Sequence, residues 1–212
     1  MKIKEVFDYL KSLSLQSELE SRIKAFHALC SQPVTGSPAE GLLHNALGGV
    51  GVKTSWTPMS HAQEKDMVFE IGENKVNVSQ KGCKESRTRI SFSSYRTTSA
   101  ELLEQKLDLI EKLDANLHMM FVFARMHTGK NPLPDYYKIY LINPHYLNPK
   151  KFKWKEERDA DGVIKGFHTY TNDLNINMGI VQKMSGQLWV DIAKSNLEKH
   201  PDMILELMEI KI

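Results

Sequence analysis

Asp66-Met67-Val68-Phe69-Glu70-Ile71-Gly72-Glu73-Asn74-Lys75-Val76-Asn77-Val78-Ser79-Gln80-Lys81 decides the fold class. Residues 66–71 and 75–81 read as two strands around a hairpin turn at Gly72-Glu73-Asn74. In the returning strand Val76 and Val78 face one side, while Asn77, Ser79 and Lys81 face the other, the period of two that strand geometry imposes. Downstream, Leu102, Leu103, Leu107, Ile110 and Leu113 make the apolar stripe of a helix over 99–115, with Ser99 as its cap. Residues 117–125 then form a continuous apolar run, the mark of a buried strand. A strand reached from an earlier one through a helical crossover favours parallel pairing with it. Hairpin and crossover together predict a mixed sheet flanked by helices, in an α/β or α+β fold.

Working outward, apolar residues recur at three- and four-residue steps across 2–30, which predicts helix with a break near Ser12–Ser17. Gln32-Pro33-Val34-Thr35-Gly36 stops it. Ser37-Pro38-Ala39-Glu40 starts the next helix, with Ser37 as cap, Pro38 in the first turn and Glu40 at the capping-box position; it ends at Gly48-Gly49. Val50–Trp56 and Tyr136–Ile142 read as strands. The stretch after Asn143-Pro144 reads as irregular, with strands at Ile176–Val181 and Leu188–Ile192 and a last helix over 202–208. The expected organisation is one domain over 1–212: a helical N-terminal segment to residue 33, a catalytic core over 36–143, and a basic loop with C-terminal strands and helix over 144–212.

Composition narrows the class. Of 212 residues, 41% are hydrophobic and 25% charged, which excludes a disordered chain, a coiled coil and a collagen-like fibre. The longest apolar runs, such as Met119–Ala124, fall far short of a bilayer span, so no membrane partner is expected. Two cysteines, Cys30 and Cys83, are too few for a disulfide framework or a zinc site, and a reducing cytoplasm is the expected compartment. No Gly-rich phosphate cradle or serine-nucleophile motif occurs, and no organic cofactor is expected.

The net charge of +2 hides a strong pattern. Residues 81–96 carry Lys81, Lys84, Arg87, Arg89 and Arg96 against Glu85 alone, a local net of +4, with serines and threonines between them. Residues 144–158 sum to +3, with Phe152 and Trp154 interleaved among the lysines, whereas helix 99–115 sums to −3. Hydroxyls and guanidinium groups make most contacts to phosphates and base edges, so the first segment suits a nucleic-acid partner.

Asp66 at the head of one strand, followed by Ser79-Gln80-Lys81 on the next, resembles the PD-(D/E)XK nuclease superfamily and within it the Type II restriction endonucleases. Thirteen positions separate Asp66 from Ser79 and fifteen separate it from Lys81, spacings usual in that family. The resemblance covers about residues 36–143 and implies a restriction-endonuclease-like core, with Asp66 binding Mg²⁺ and Lys81 orienting or deprotonating the attacking water. Ser79 stands where the family's second acid belongs, and Lys65 stands where its proline does. The resemblance offers Glu101 or Glu104 on the following helix as replacement acids, and Glu40 on an early helix as a further metal ligand. It implies double-stranded DNA as substrate, cleavage at a short specific sequence, and a homodimer on a palindromic site, with helix 2–30 supplying part of the interface. Lys84, Arg87, Arg89, Ser94, Arg96, Thr97, Lys151 and Lys153 are the expected DNA contacts. The alternatives are a non-catalytic nucleic-acid-binding domain that has lost the acid at Ser79, and a repair-type nuclease of the superfamily.

Overall fold

The computed structural model describes residues 1–57, 66–97, 102–113, 118–127, 133–182 and 186–212. Among them the chain is α+β, with a mixed central sheet. Helices α1 (Ile3–Ser12), α2 (Leu15–Leu29) and α3 (Ser37–Gly49) come first. Strands β1 (Lys53–Trp56), β2 (Met67–Ile71), β3 (Asn74–Lys84) and β4 (Arg89–Arg96) follow. Helix α4 (Leu103–Leu113) leads to β5 (His118–Met126) and β6 (Tyr136–Ile142). Then come β7 (Trp154–Arg158), β8 (Ile164–Thr169), β9 (Ile176–Val181), β10 (Gln187–Ala193), the short α5 (Asn196–Lys199) and β11 (Ile204–Lys211).

The central sheet runs β1-β2-β3-β5-β6-β11. The hairpin pairs β2 with β3 antiparallel, Met67 opposite Val78, and β3 lies parallel to β5, Ser79 opposite Met120. The parallel neighbour expected from the crossover is therefore present. Strand alternation splits the core in two. Val76 and Val78 of β3, Met119, Phe121 and Phe123 of β5, and Tyr137, Ile139 and Leu141 of β6 face α1, α2 and α3. Cys83, Met120, Val122, Ala124, Tyr140 and Ile142 face the other way, toward α4 and a second sheet.

That second sheet, β4-β10-β9-β8-β7, is antiparallel throughout and departs from the sequence expectation. The basic segment 81–96 contains β4, whose Ile90, Phe92 and Tyr95 are buried against the core. The supposedly irregular stretch after Pro144 holds β7 and β8 behind two short 3₁₀ turns. The last helix is corrected as well: residues 204–211 form an edge strand on β6. The register of β11 slips between Glu206 and Met208. Leu205 before the slip, Leu207 at it, and Met208 and Ile210 after it all pack toward the helices. The bulge turns a period of two into apolar residues three apart, 205 to 208 and 207 to 210, a spacing that reads as helix. Residues 204–211 are thus part of the central sheet, not an appendage to it.

Candidate functional site

Asp66 sits one residue ahead of β2, and its N–H donates to Val78 O of β3 at 2.8 Å. That bond puts Asp66 opposite Ser79. Its Oδ2 accepts from Gln80 N–H at 2.6 Å and from Lys81 Nζ at 3.4 Å. Both side chains are about one-fifth exposed, Asp66 at 20% and Lys81 at 22%, so the pair is shielded yet open to solvent. The hairpin register explains the contact: Lys81 is two residues past Ser79, on the same face, diagonal to Asp66. Among the described residues, the second carboxylate oxygen of Asp66 takes no hydrogen bond and is available to another ligand.

Glu40 plays no capping role. The cap residue of α3 is Gly36, at φ 56°, and Ser37 is already inside the helix. Glu40 Oε2 instead accepts from Trp56 Nε1 at 3.2 Å. Trp56 is the register partner of Met67, the residue after Asp66, so this bond brings Glu40 to Asp66's end of the sheet. The indole lies over Gly41, where an added Cβ would meet the ring at 3.0 Å, and 5.4 Å from the His44 ring, which is itself held through Thr54 at 2.7 Å. Sequence reading missed Trp56; a tryptophan closing a short strand next to a helix that opens on a glutamate is the signal that was there.

Ser79 is buried, at 3% exposure, and engaged in a contact of its own. Glu104 is exposed on α4 and among the described residues joins no cluster of ligating side chains, and Glu101 lies outside the described residues. Among the described residues, no three His, Cys, Asp or Glu side chains come together as a group able to hold a metal ion. Asp66 fits a hard, oxygen-seeking cation such as Mg²⁺, which commonly takes one or two protein carboxylates and keeps several waters. Glu40 is a carboxylate at the same end of the sheet, and its Oε2 is at present committed to Trp56.

The expected DNA contacts divide. Arg87 and Arg96 are exposed, on the β3–β4 turn and at the end of β4, and Lys153 is exposed ahead of β7. Lys151 is exposed and donates to His145 O at 3.1 Å. Arg89 is committed to the fold instead: its guanidinium donates to Asp191 Oδ2 at 2.7 Å, to Asp191 O at 3.1 Å, and to Asn175 Oδ1 and O at 3.1 Å. Thr97 is fully buried, with its hydroxyl donating to Gly186 O at 2.6 Å, so it presents no surface to DNA. Ser94 Oγ is buried with no hydrogen-bond partner among the described residues, and the Lys84 side chain lies outside them. Part of the basic loop is neutralised locally, since Lys150 bridges Asp108 at 2.7 Å and Glu111 at 2.5 Å on α4. Those carboxylates hold the Lys150 ammonium well above its ordinary pKa.

No protein-family model matches this chain, and no curated protein matches it in sequence. Among the described residues, no helix is long and apolar enough to cross a membrane.

Proposed function

We propose that this chain is a Mg²⁺-dependent endodeoxyribonuclease of the Type II restriction kind, hydrolysing phosphodiester bonds at a short specific sequence in double-stranded DNA. The observation that carries the reading is the contact of Lys81 Nζ with Asp66 Oδ2 at 3.4 Å, on adjacent strands and partly open to solvent. Asp66 would hold the ion, with Glu40 as the second carboxylate on release from Trp56. Bound Mg²⁺ supplies polarisation of the scissile phosphate. Gln80 N–H fixes the carboxylate's orientation. Lys81 orients a water for attack and steadies the negative charge that grows on the phosphate. Arg87, Arg96, Lys151 and Lys153 are the exposed cations for the DNA backbone. A homodimer on a palindromic target belongs to the same proposal. The apolar stripe of α1 and α2 cannot serve that dimer, because Val6, Phe7, Leu10, Leu15, Leu19 and Ile23 are all spent on the chain's own core. A reducing cytoplasm completes it, in keeping with Cys30 and Cys83 as free thiols.

The second reading is a non-catalytic nucleic-acid-binding domain. It is favoured by the buried serine in the acid position and by the lack, among the described residues, of a three-ligand cluster. One experiment separates the two. Purified protein incubated with plasmid and Mg²⁺ should give discrete fragments, abolished by chelator and by Asp66→Ala or Lys81→Ala. Salt-sensitive binding with no cutting in any of several divalent metals refutes the nuclease and leaves the binding domain.

A further inference from the structure

The outer face of the second sheet carries a feature the nuclease site does not use. One row of register partners crosses all five strands: Ser93 on β4, Trp189 on β10, Gly179 on β9, His168 on β8 and Lys155 on β7. Directly paired residues point to the same side of a sheet. Their chain neighbours Phe92, Leu188, Val190, Met178, Ile180 and Phe167 are buried against the core, so the row faces outward. Trp189 is 37% exposed, the His168 side chain 42% and Tyr170, just past β8, 52%. Lys155 Nζ stands 5.5 Å from the centre of the Tyr170 ring.

The floor between these rings is glycine for steric reasons. A Cβ at Gly179 would meet His168 Nδ1 at 3.0 Å, so the imidazole leans across it. A Cβ at Gly166, in the next row, would strike Ile180 O at 2.5 Å. The middle of the row is therefore covered by the His168 imidazole, beside Trp189 on the same face. The carboxylates on this face are already satisfied: Glu157 is paired with His168 at 2.6 Å, and Asp191 with Arg89 at 2.7 Å. The His168 contact also holds the Glu157 carboxyl below its ordinary pKa. Lys153, Lys155 and Lys165 are exposed along the β7–β8 side and enter no salt bridge among the described residues. Hydrogen-bonded acids, exposed lysines and exposed rings complement a ligand with planar groups strung on an anionic backbone.

We infer that this face is a stacking platform for single-stranded nucleic acid, with bases laid on Trp189, His168 and Tyr170 and phosphates met by Lys153, Lys155 and Lys165. The sequence-tolerant attraction between bases and aromatic rings supplies the affinity, and the lysines make it salt-dependent. The choice of nucleic acid as the occupant rests on the nuclease reading; the shape and charge of the face do not.

Tryptophan fluorescence tests it in the full chain. Trp56→Phe with Trp154→Phe leaves Trp189 as the sole emitter. Oligothymidylate of about 20 nucleotides should quench that emission on binding. In the wild-type background, anisotropy of a labelled oligonucleotide should show Trp189→Ala binding about tenfold more weakly and Trp189→Phe staying within about threefold. An abasic strand of the same length should bind about tenfold more weakly than oligothymidylate. Absence of quenching overturns the inference. So does unchanged affinity in Trp189→Ala, or equal affinity for the abasic strand, which would mean that charge alone attracts it. Quenching in a protein that never cuts plasmid supports the platform and refutes the nuclease. Plasmid cutting without quenching refutes the platform alone.

Discussion

Lys194→Met should destabilise the fold more than any exposed-lysine substitution. The Glu85 side chain is fully buried between the two sheets, at 0% exposure, and Lys194 is 21% exposed. Glu85 Oε1 accepts from Tyr140 Oη at 2.7 Å and is paired with Lys194 Nζ, while Oε2 is buried with no hydrogen-bond partner among the described residues. Removing the lysine leaves a buried carboxylate with a single neutral donor. Breaking a buried pair from one side costs roughly 3–5 kcal/mol. The partial exposure of Lys194 lowers that to about 2–4 kcal/mol, because solvent screens a residue of that kind. For a chain of this size about 1 kcal/mol moves the midpoint by about 2–4 °C, so Tm should fall by roughly 5–15 °C. Urea unfolding followed by circular dichroism measures the change. The double variant Glu85→Gln with Lys194→Met should recover about half of the loss, since no charge is then stranded. A Lys194→Met protein within about 0.5 kcal/mol of wild type would refute the reasoning, because that is the size expected of a surface substitution.

Burial pushes the Cys83 thiol up from 9.0 to about 12. The folded state therefore holds this proton more tightly than the unfolded chain, so stability is fully present below about pH 9 and is lost as pH rises toward 12. Urea midpoints across that window should fall steeply in wild type and less steeply in Cys83→Ala; equal slopes would remove Cys83 as a cause. Burial and the Glu85 hydrogen bond raise Tyr140 too, so Tyr140→Phe should flatten the same alkaline limb. Tyr137 Oη accepts from the buried Val34 N–H at 2.8 Å, so Tyr137→Phe should cost about 1–3 kcal/mol by stranding that donor. Arg89→Ala should cost about 1–2 kcal/mol of stability, since its guanidinium ties β4 to β10. A variant that kept wild-type stability and lost only DNA binding would return Arg89 to the interface.

The local patterns of β2, β3, α4 and β5 were legible because each follows one rule without interruption. Val76 and Val78 alternate cleanly with Asn77 and Ser79, and Leu103, Leu107 and Ile110 keep the helical period on α4, while Leu102 lies ahead of the helix and is exposed. Legibility failed where a bulge or a charge masked the period. In β11 the slip after Glu206 copies a helical spacing. In β4 the alternation of Ile90 and Phe92 is present, yet the arginines around it draw the eye to charge, and the run of Ser93-Ser94 before inward-facing Tyr95 breaks it. The hairpin β7–β8 is built from charged edge residues, Glu156, Glu157 and Arg158, which protect an exposed strand edge and look like loop. At the site, the Asp66–Lys81 pair followed from spacing and register alone. The Glu40–Trp56 bond did not, because it joins a helix to a strand sixteen residues away through a contact that no periodicity encodes.

Ser79 is the residue on which the two functional readings turn, and its burial decides how the test must be run. It lies opposite Asp66 on the face that also carries Lys81, so a carboxylate there would be a second ligand beside the first. At 3% exposure, however, the position has little water to solvate a new charge. An ionised side chain introduced at such a place costs several kcal/mol unless a cation or donors meet it. Ser79→Glu should therefore destabilise the metal-free protein, by about 2–4 kcal/mol, and Mg²⁺ should return part of that loss as a rise in Tm. Ser79→Gln, similar in size and without charge, should show no such Mg²⁺ response. If the domain is a binding module that lost its acid, Ser79→Glu in Mg²⁺ should gain plasmid cleavage where wild type has none. If the wild type already cuts, the added carboxylate competes with an arrangement built around the serine, and the rate should fall. A Ser79→Glu protein whose Tm ignores Mg²⁺ would refute the position as a metal ligand under either reading.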